Sequence, residues 1–261
     1  MITLQMYTLR TVVNDRESFA EAVQRAAEIG YGRLQVKCPA YLTLAEFRDV
    51  MAANGLSTDS LSAKLAELPE KLGQLVSDAR FLGVDRVRVE AMPRSYADSP
   101  EGFIRYAKML DEGGRLLREN GLTLVYHFHA FEFVNFPDGR RGIDLLLSET
   151  SPENVTFQPD VFWLTAAGCD AADELARFAG RAVMMHVKDY AIRPRPDAVK
   201  ERIPCVYAPV GRGNIGWARV IETAKRIGVT DFVVEQDDCY EDDPFECIRE
   251  SYVNLKKLLG E

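Results

Sequence analysis

Four side chains that can bind a metal ion stand at or near the ends of strand-like segments in the second half of the chain. They are Glu132, Asp160, His186 and Glu235. If these segments are parallel strands, their ends meet at one edge and their last side chains converge. Three carboxylates held together would repel one another and take up protons unless a divalent cation bound between them. The sequence therefore predicts a metalloenzyme.

Three carboxylates and one imidazole form a ligand set typical of Mn²⁺, Mg²⁺ or Co²⁺, and Zn²⁺ fits less well without further His or Cys. Such a site leaves positions open for two neighbouring oxygens of a sugar, and the metal then acidifies the hydrogen on the adjacent carbon. We therefore expect one divalent ion. Glu132 and Glu235 lie on opposite sides of the expected barrel mouth, so they could exchange protons with the two faces of an enediolate.

Further candidates flank these four residues. The chain has three histidines. His127 and His129 lie in the same strand-end segment two residues apart, so their side chains can face the same side, and His127 is either structural or part of the site. Lys188 follows His186 closely, where it can bind a substrate hydroxyl or carbonyl. Glu90 ends another strand and is a secondary candidate, because neighbouring arginines also suggest a structural ion network there. The aromatic residues that could form walls of a sugar pocket are Trp163, Tyr7 and Phe131.

The elements that would position these residues follow a repeating order of amphipathic stretch, glycine and short apolar run. Glycine after a helix is the usual left-handed C-cap, so each repeat marks a joint between a helix and a strand. The pattern predicts strands at 3–9, 34–36, 56–61, 87–89, 122–126, 154–160, 182–187 and 232–234. It predicts helices at 16–28, 44–54, 68–82, 100–120, 142–149, 171–178, 217–226 and 244–259.

Eight alternating units favour an α/β fold of the (β/α)8 TIM-barrel type, and the 261 residues match the roughly 250 usual for this barrel. An open doubly wound sheet would require a glycine-rich turn after the first strand, but residues 8–14 contain no glycine. No change of composition divides the chain, so residues 1–261 are expected to form a single domain. The longest irregular segment, 190–216, is a candidate lid or substrate loop.

Composition and charge disfavour several classes of partner and location. The net charge of −8 and the lack of a dense basic run disfavour nucleic acid as a partner. The five cysteines are widely spaced without a Cys-x-x-Cys pair, so they are expected to be reduced thiols. The start of the chain lacks the pattern of a signal peptide, and no apolar run approaches the ~18 residues of a membrane span. We expect a cytoplasmic protein with no membrane association.

Several segments together resemble the sugar phosphate isomerase/epimerase family of the xylose isomerase-like barrels, over nearly the whole chain. They are LQMYTLR at 4–10, YHFHAFEF at 126–133, DVFW at 160–163, HVKD at 186–189, GRGNIGW at 211–217 and EQD at 235–237. The resemblance implies a divalent metal held by Glu132, Asp160, His186 and Glu235. It also implies that His129 and Lys188 approach the substrate and that the two glutamates share proton abstraction and return.

Two positions depart from the family pattern. Many relatives carry a histidine at the end of the third strand, where this chain has Ser60, Leu61 and Ser62. Many relatives also carry a glutamate in the loop where this chain has Asn214. The first departure concerns the far end of the substrate, and the second lies away from the expected metal ligands.

The leading functional hypothesis is an isomerase or epimerase that acts on a small ketose or keto-sugar derivative. A dehydratase of a keto-polyol is the nearest alternative, since the same enediolate can expel a β-hydroxyl group. A non-catalytic sugar-binding barrel is less favoured by the complete ligand set. An apurinic endonuclease is opposed by the acidic charge and the three histidines. The expected partner is a small sugar, and the sequence leaves homo-oligomerisation open.

Overall fold

A closed barrel of eight parallel strands forms the centre of the protein. The computed structural model describes residues 1–192 and 205–261. The barrel strands are β1 (Ile2–Gln5), β2 (Arg33–Gln35), the third strand in two pieces, β3 (Ser57–Thr58) and β4 (Leu61–Ser62), then β5 (Arg86–Val89), β6 (Thr123–His127), β7 (Val155–Gln158), β8 (Met184–Val187) and β11 (Asp231–Val234). The prediction of an α/β TIM barrel is confirmed.

The barrel consists of two parallel sheets that meet at two seams. One sheet runs in the order β3-β2-β1-β11-β8 and the other in the order β4-β5-β6-β7. The two pieces of the third strand join the sheets on one side. On the other side an isolated parallel bridge pairs Asp160 with His186, and the His186 N–H donates to the Pro159 carbonyl at 2.8 Å. Closure at this second seam brings two of the predicted metal ligands together.

Helices cover the outside of the barrel. They are α1 (Arg16–Ile29), α2 (Leu44–Ala53), α3 (Leu68–Leu82), α4 (Pro100–Glu119), α5 (Gly142–Ser148), α6 (Val161–Ala166), α7 (Ala171–Ala176), α8 (Trp217–Ile227) and α9 (Pro244–Leu259). Within the described residues, no helix is long and apolar enough to cross a membrane.

Capping residues in the local sequence determine where the helices begin and end. At the start of α1 the Asp15 carboxylate accepts a hydrogen bond from the Ser18 N–H at 2.8 Å, and the Ser18 hydroxyl accepts one from the Asp15 N–H. This reciprocal cap satisfies two donors that would otherwise be unpaired. Gly30 ends the helix with φ of +117°, a left-handed conformation that costs glycine little. The chain can therefore turn directly into β2.

The barrel interior is polar near the carboxyl ends of the strands. Gln5 of β1 stands beside Gln35 of β2, and His127 of β6 stands beside Gln158 of β7. Hydrogen bonds cross the barrel within this layer, from Gln35 on the second strand to His186 on the seventh. The large apolar side chains pack mainly between strands and helices. The polar layer thus lies directly beside the candidate functional site.

Three sequence predictions about local structure were wrong. The expected first strand 3–9 ends at Gln5, and residues Met6–Leu9 form a 3-10 turn because the Tyr7 N–H bonds to the Gln5 side chain. The sixth strand ends at Gln158, so Asp160 caps a helix instead of ending a strand.

The third correction concerns the segment 190–216, which was expected to be irregular. It contains an antiparallel pair, β9 (Asp189–Ile192) with β10 (Cys205–Ala208). Tyr207 in β10 lines the main cavity described below. The predicted lid falls partly on residues 193–204, which lie outside the described residues.

Candidate metal centre and active site

Three of the four predicted metal ligands converge at the carboxyl end of the barrel. The His186 Nδ1 atom lies 3.0 Å from Glu235 Oε2 and 3.5 Å from Asp160 Oδ2. All three residues are buried. Within the described part of the chain, none of these three atoms has a hydrogen-bond partner of good geometry. Buried polar atoms are costly unless they are paired, so their convergence marks a candidate site for a cation.

Helix α6 orients the Asp160 carboxylate. Its Oδ1 atom accepts hydrogen bonds from the Phe162 N–H at 2.9 Å and the Trp163 N–H at 3.3 Å, as an N-cap residue does. Because the cap uses Oδ1, the Oδ2 atom points to the cation site. The helix N-terminus also favours the negative charge of this carboxylate.

The His186 ring is held through its Nε2 atom. Its Nε2 atom lies 2.7 Å from Gln35 Oε1, on the opposite side of the ring from the two carboxylates. Burial acts to lower the pKa of His186, but Glu235 and Asp160 outweigh it and leave the pKa raised. Burial tends to raise the pKa of Glu235, but the Lys188 ammonium and His186 hold it well below its ordinary value. Positive charge is thus stabilised at this point of the barrel.

Lys188 supplies positive charge between the carboxylates. Its Nζ atom lies 2.7 Å from Glu235 Oε2, 3.2 Å from Asp160 Oδ2 and 3.1 Å from both carboxylate oxygens of Asp237. Although burial opposes protonation, the three carboxylates raise the pKa of Lys188, so the amine is charged at neutral pH. Its position shows that the carboxylates can hold a cation. Two carboxylates and an imidazole also suit a divalent metal ion.

His127 belongs to the same cluster, a role that the sequence left open. His127, Asp160 and His186 each offer one ligand atom, and these atoms lie within 4.8 Å of one another. The rings of His127 and His186 have centroids 4.4 Å apart. Burial and the neighbouring His186 lower the pKa of His127 well below its ordinary value. A neutral imidazole at this place is able to bind a metal ion.

Glu132 has a different environment from the other three predicted ligands. It lies in the 3-10 turn Ala130–Phe133 and is fully buried. Its Oε1 atom accepts a hydrogen bond from the Tyr126 hydroxyl at 2.7 Å, and its Oε2 atom accepts one from the His129 N–H at 2.9 Å. Burial raises the pKa of Glu132 to about 7 although these hydrogen bonds act in the opposite direction. Its carboxyl group is therefore suited to proton exchange near neutral pH.

A cavity of about 1090 Å³ opens above the cluster. The site residues predicted from sequence that line it are Tyr7, Glu90, His129, His186, Lys188 and Glu235. Glu132, Asp160 and Trp163 are not among the lining residues. The Trp163 ring contacts the site indirectly, since its centroid lies 5.3 Å from that of His129 and also 5.3 Å from the Lys188 Nζ atom.

Glu90 takes part in the ion network that the sequence suggested. Its Oε1 atom accepts hydrogen bonds from Arg88 Nη2 at 3.0 Å and from the Ser62 hydroxyl at 2.9 Å. Burial tends to raise the pKa of Glu90, but Arg88 and these hydrogen bonds lower it overall. Arg88 itself lines the cavity. Ser62, in the segment 60–62 at the end of the third strand, therefore lies beside a cation from the next strand.

Sequence reasoning gave no role to two residues that shape the site. Asp237 pairs with Lys188, and Gln35 contacts His186. A signal existed for each: Asp237 has the same parity as Glu235 two residues earlier, and Gln35 is a polar residue between the apolar Leu34 and Val36. Neither signal identifies a partner, because each partner lies on another strand.

The fold and the converging side chains define a xylose isomerase-like barrel. The family model described as xylose isomerase-like TIM barrel matches residues 23–251, so the chain belongs to that family. This confirms the resemblance inferred from sequence. No curated protein matches the chain.

Solved structures of similar fold cover almost the entire chain. A sugar phosphate isomerase/epimerase from Parabacteroides distasonis has a TM-score of 0.79 at 19% identity, covering 98% of this chain and 93% of that chain. An L-ribulose 3-epimerase has a TM-score of 0.72 at 16% identity, covering 99% and 94%. A xylose isomerase-like TIM barrel protein from Mycobacterium smegmatis in complex with magnesium has a TM-score of 0.71 at 17% identity, covering 99% and 96%. At these identities the likeness demonstrates a shared fold.

Proposed function

We propose that this single barrel domain is a divalent-metal-dependent isomerase or epimerase of a ketose or keto-sugar derivative. The observation that carries the proposal is the convergence of three buried atoms, Asp160 Oδ2, His186 Nδ1 and Glu235 Oε2, beneath a large cavity. The family membership and the fold neighbours, which include an epimerase and a magnesium complex, support the same class of reaction. Mn²⁺, Mg²⁺ and Co²⁺ suit this ligand set best, and Zn²⁺ is the next candidate.

The chain offers two candidates for a fourth ligand. The family resemblance implies Glu132, whose carboxylate must then exchange its hydrogen bonds with Tyr126 and His129 for the metal. The side-chain positions favour His127, which already lies in the cluster with Asp160. Metal titration of Glu132→Gln and His127→Gln distinguishes them, because only the variant that lacks a ligand should lose affinity substantially.

A metal ion bound here would polarise a substrate carbonyl and acidify the hydrogen on the neighbouring carbon. Glu235 lines the cavity and is the first candidate base, and Glu132, with its pKa of about 7, is the second. Together they can remove and return a proton on two faces of a planar enediolate. His129 and Lys188 also line the cavity and can donate hydrogen bonds to substrate oxygens.

Tyr7 and Glu90 complete the proposed substrate contacts. Tyr7 is 51% exposed at the cavity wall, and its ring carries the Arg10 guanidinium 4.2 Å from the centroid. This exposed aromatic surface is suited to cover a sugar ring. Glu90 can accept hydrogen bonds from hydroxyl groups remote from the metal. Trp163 supports His129 and Lys188 from behind.

Metal analysis combined with deuterium exchange tests the proposal directly. The purified protein should bind about one Mn²⁺, Mg²⁺, Co²⁺ or Zn²⁺ per chain. In heavy water, the loaded protein should introduce deuterium into one or more keto-sugars of a screening panel, and chelation should stop this exchange. Failure to bind any of these ions would refute the metal site. Product analysis then separates isomerisation or epimerisation from loss of water, which would indicate the dehydratase alternative.

Glutamine variants test the two proposed bases. Glu132→Gln and Glu235→Gln preserve size and one oxygen but remove the basic oxygen, so each should lose most turnover even at saturating metal. Each single variant should retain deuterium exchange only on the substrate face that the other glutamate serves. The double variant should show no exchange. Full activity of either single variant at saturating metal would refute its role and favour His129 or Lys188 as the acid or base.

A further inference from the structure

The two ring nitrogens of His186 face chemically different surroundings. Nδ1 faces the carboxylates of Glu235 and Asp160, at 3.0 Å and 3.5 Å. Nε2 faces a side-chain amide, with Gln35 Oε1 at 2.7 Å. Gln35 is completely buried, so this contact is shielded from water. Which nitrogen carries hydrogen therefore depends on the orientation of the Gln35 amide.

A chain of hydrogen bonds that begins at the backbone determines this orientation. The Tyr7 N–H can only donate, and it donates to Gln5 Oε1 at 3.2 Å. The Gln5 amide must then present its NH2 group to Gln35, where Nε2 donates to Gln35 Oε1 at 2.9 Å. Gln158 Nε2 approaches the same oxygen at 3.3 Å. Gln35 Oε1 is thus an acceptor, and the His186 Nε2 atom must be a donor.

The other end of Gln35 supports the same orientation. Its Nε2 atom donates to Asp59 Oδ2 at 2.6 Å, and the Ser60 hydroxyl donates to Asp59 Oδ1 at 2.8 Å. If the amide were reversed, its oxygen would face the Asp59 carboxylate and its NH2 group would face the NH2 groups of Gln5 and Gln158. Such a reversal would lose the hydrogen bond from Gln5 and the hydrogen bond to Asp59, and this loss is costly in a buried layer.

We propose that Gln35 is a positioning residue that holds His186 as the Nε2–H tautomer, so that Nδ1 is the atom that binds the metal ion. This inference rests on the proposed metal site. Metal-binding histidines in general donate their second N–H to an oxygen acceptor, and loss of that acceptor lowers metal affinity by roughly 10- to 100-fold. In this chain, a glutamine on the second barrel strand provides the acceptor for a ligand on the seventh.

The first test compares metal affinity in matched variants. Gln35→Met removes the acceptor for His186 and should weaken Mn²⁺ or Zn²⁺ binding by roughly 10- to 100-fold in a competition titration. Gln158→Met is the control, because Gln158 lies in the same buried layer and contacts Gln35 but makes no hydrogen bond to His186 in the described structure. It should leave affinity nearly unchanged. Equal affinities of Gln35→Met and the wild type would overturn the proposal.

Imidazole nitrogen NMR supplies a readout that general destabilisation would not produce. The chain has only three histidines, which makes assignment practical. In the Zn²⁺-loaded wild type, His186 should show a metal-bound Nδ1 and a protonated Nε2. In the chelated protein, the Nε2 proton should exchange slowly in the wild type and rapidly in Gln35→Met. Binding of Zn²⁺ through Nε2 would overturn the proposal.

The Gln35→Glu variant and the metal-free protein separate the role of Gln35 from the proposed metal function. Gln35→Glu retains an oxygen for the His186 Nε2–H and, by sharing a proton with Asp59, should preserve the slowly exchanging Nε2 proton. Loss of that proton in Gln35→Glu as well as in Gln35→Met would count against an acceptor role. If the wild type binds no divalent ion, the proposed metal function fails. Rapid exchange of the Nε2 proton in the chelated wild type would refute the role of Gln35 independently.

Discussion

Asp160→Asn should separate the two functions of one carboxylate. In the native protein, Oδ1 caps helix α6 and Oδ2 faces the cation site, 3.2 Å from the Lys188 Nζ atom. Asn and Asp are comparable N-cap residues, so the amide oxygen should retain the cap, whereas complete loss of a cap costs about 0.5–2 kcal/mol. The amide NH2 group would then face the site, where it cannot bind a cation.

The charge that is lost has a large gross effect on cation binding. At 3.2 Å and an effective dielectric constant of about 20, the attraction between Asp160 and the Lys188 ammonium is about 5 kcal/mol. Desolvation offsets most of such an attraction. Loss of a hydrogen bond that supports a metal ligand lowers metal affinity by roughly 10- to 100-fold. Loss of the ligand itself should lower metal affinity by at least this amount. This limit corresponds to about 1.4–2.8 kcal/mol.

Calorimetric titration with Mn²⁺ and thermal unfolding together measure the two effects. We expect weaker Mn²⁺ binding in Asp160→Asn, recovery of activity at excess Mn²⁺, and little loss of stability in the chelated protein. Asp170→Asn is the matched control, since Asp170 caps α7 with the same pattern of two backbone N–H groups but lies outside the site. Native Mn²⁺ affinity in Asp160→Asn, or an equal loss in Asp170→Asn, would refute the reasoning.

Three further predictions concern charge and protonation. Lys188→Met leaves the carboxylates of Asp160, Glu235 and Asp237 without their buried cation. In the chelated variant, the free energy of unfolding measured with denaturant should therefore fall by about 3–5 kcal/mol, and excess Mn²⁺ should restore much of it. An unchanged free energy of unfolding after chelation would contradict this prediction. Because the raised pKa of Glu132 lies at about 7, the active basic form appears as pH rises through that value. Substrate deuterium exchange should increase across this range, and Glu132→Gln should lack the increase; an identical pH profile in the variant would exclude Glu132 as the base. With a net charge of −8, the protein should not bind duplex DNA at physiological salt in a gel-shift assay, and salt-sensitive micromolar binding would revive the endonuclease alternative.

The fold was predictable because its signals are local. Glycine at the end of a helix, such as Gly30 or Gly228, adopts the left-handed conformation that the joint to the next strand requires. Repeating such joints around eight strands leaves the parallel barrel as the favoured arrangement. The errors were local as well. Asp160 ends an apolar segment as a strand residue would, yet its carboxylate bonds to the two N–H groups that follow and begins a helix.

The candidate site was only partly predictable. Parallel strands that end at one edge bring Asp160, His186 and Glu235 together, as expected from their positions in sequence. The same reasoning gave Glu132 an equivalent place, and in the structure its carboxylate accepts hydrogen bonds from the Tyr126 hydroxyl and the His129 N–H. His127 has the right side chain and parity, although nothing in the sequence alone distinguishes a ligand from a structural histidine at that position.

The sequence by itself determined the class of fold and the edge of the barrel at which these carboxylates and imidazoles stand. Tertiary structure alone decided which of these groups meet. The Lys188 ammonium lies between carboxylates of two other strands, and Gln35 meets His186 across 151 residues of sequence. Local patterns specify the direction and burial of a side chain, whereas contacts across a barrel depend on strand register and on the hydrogen bonds that each buried polar atom must find.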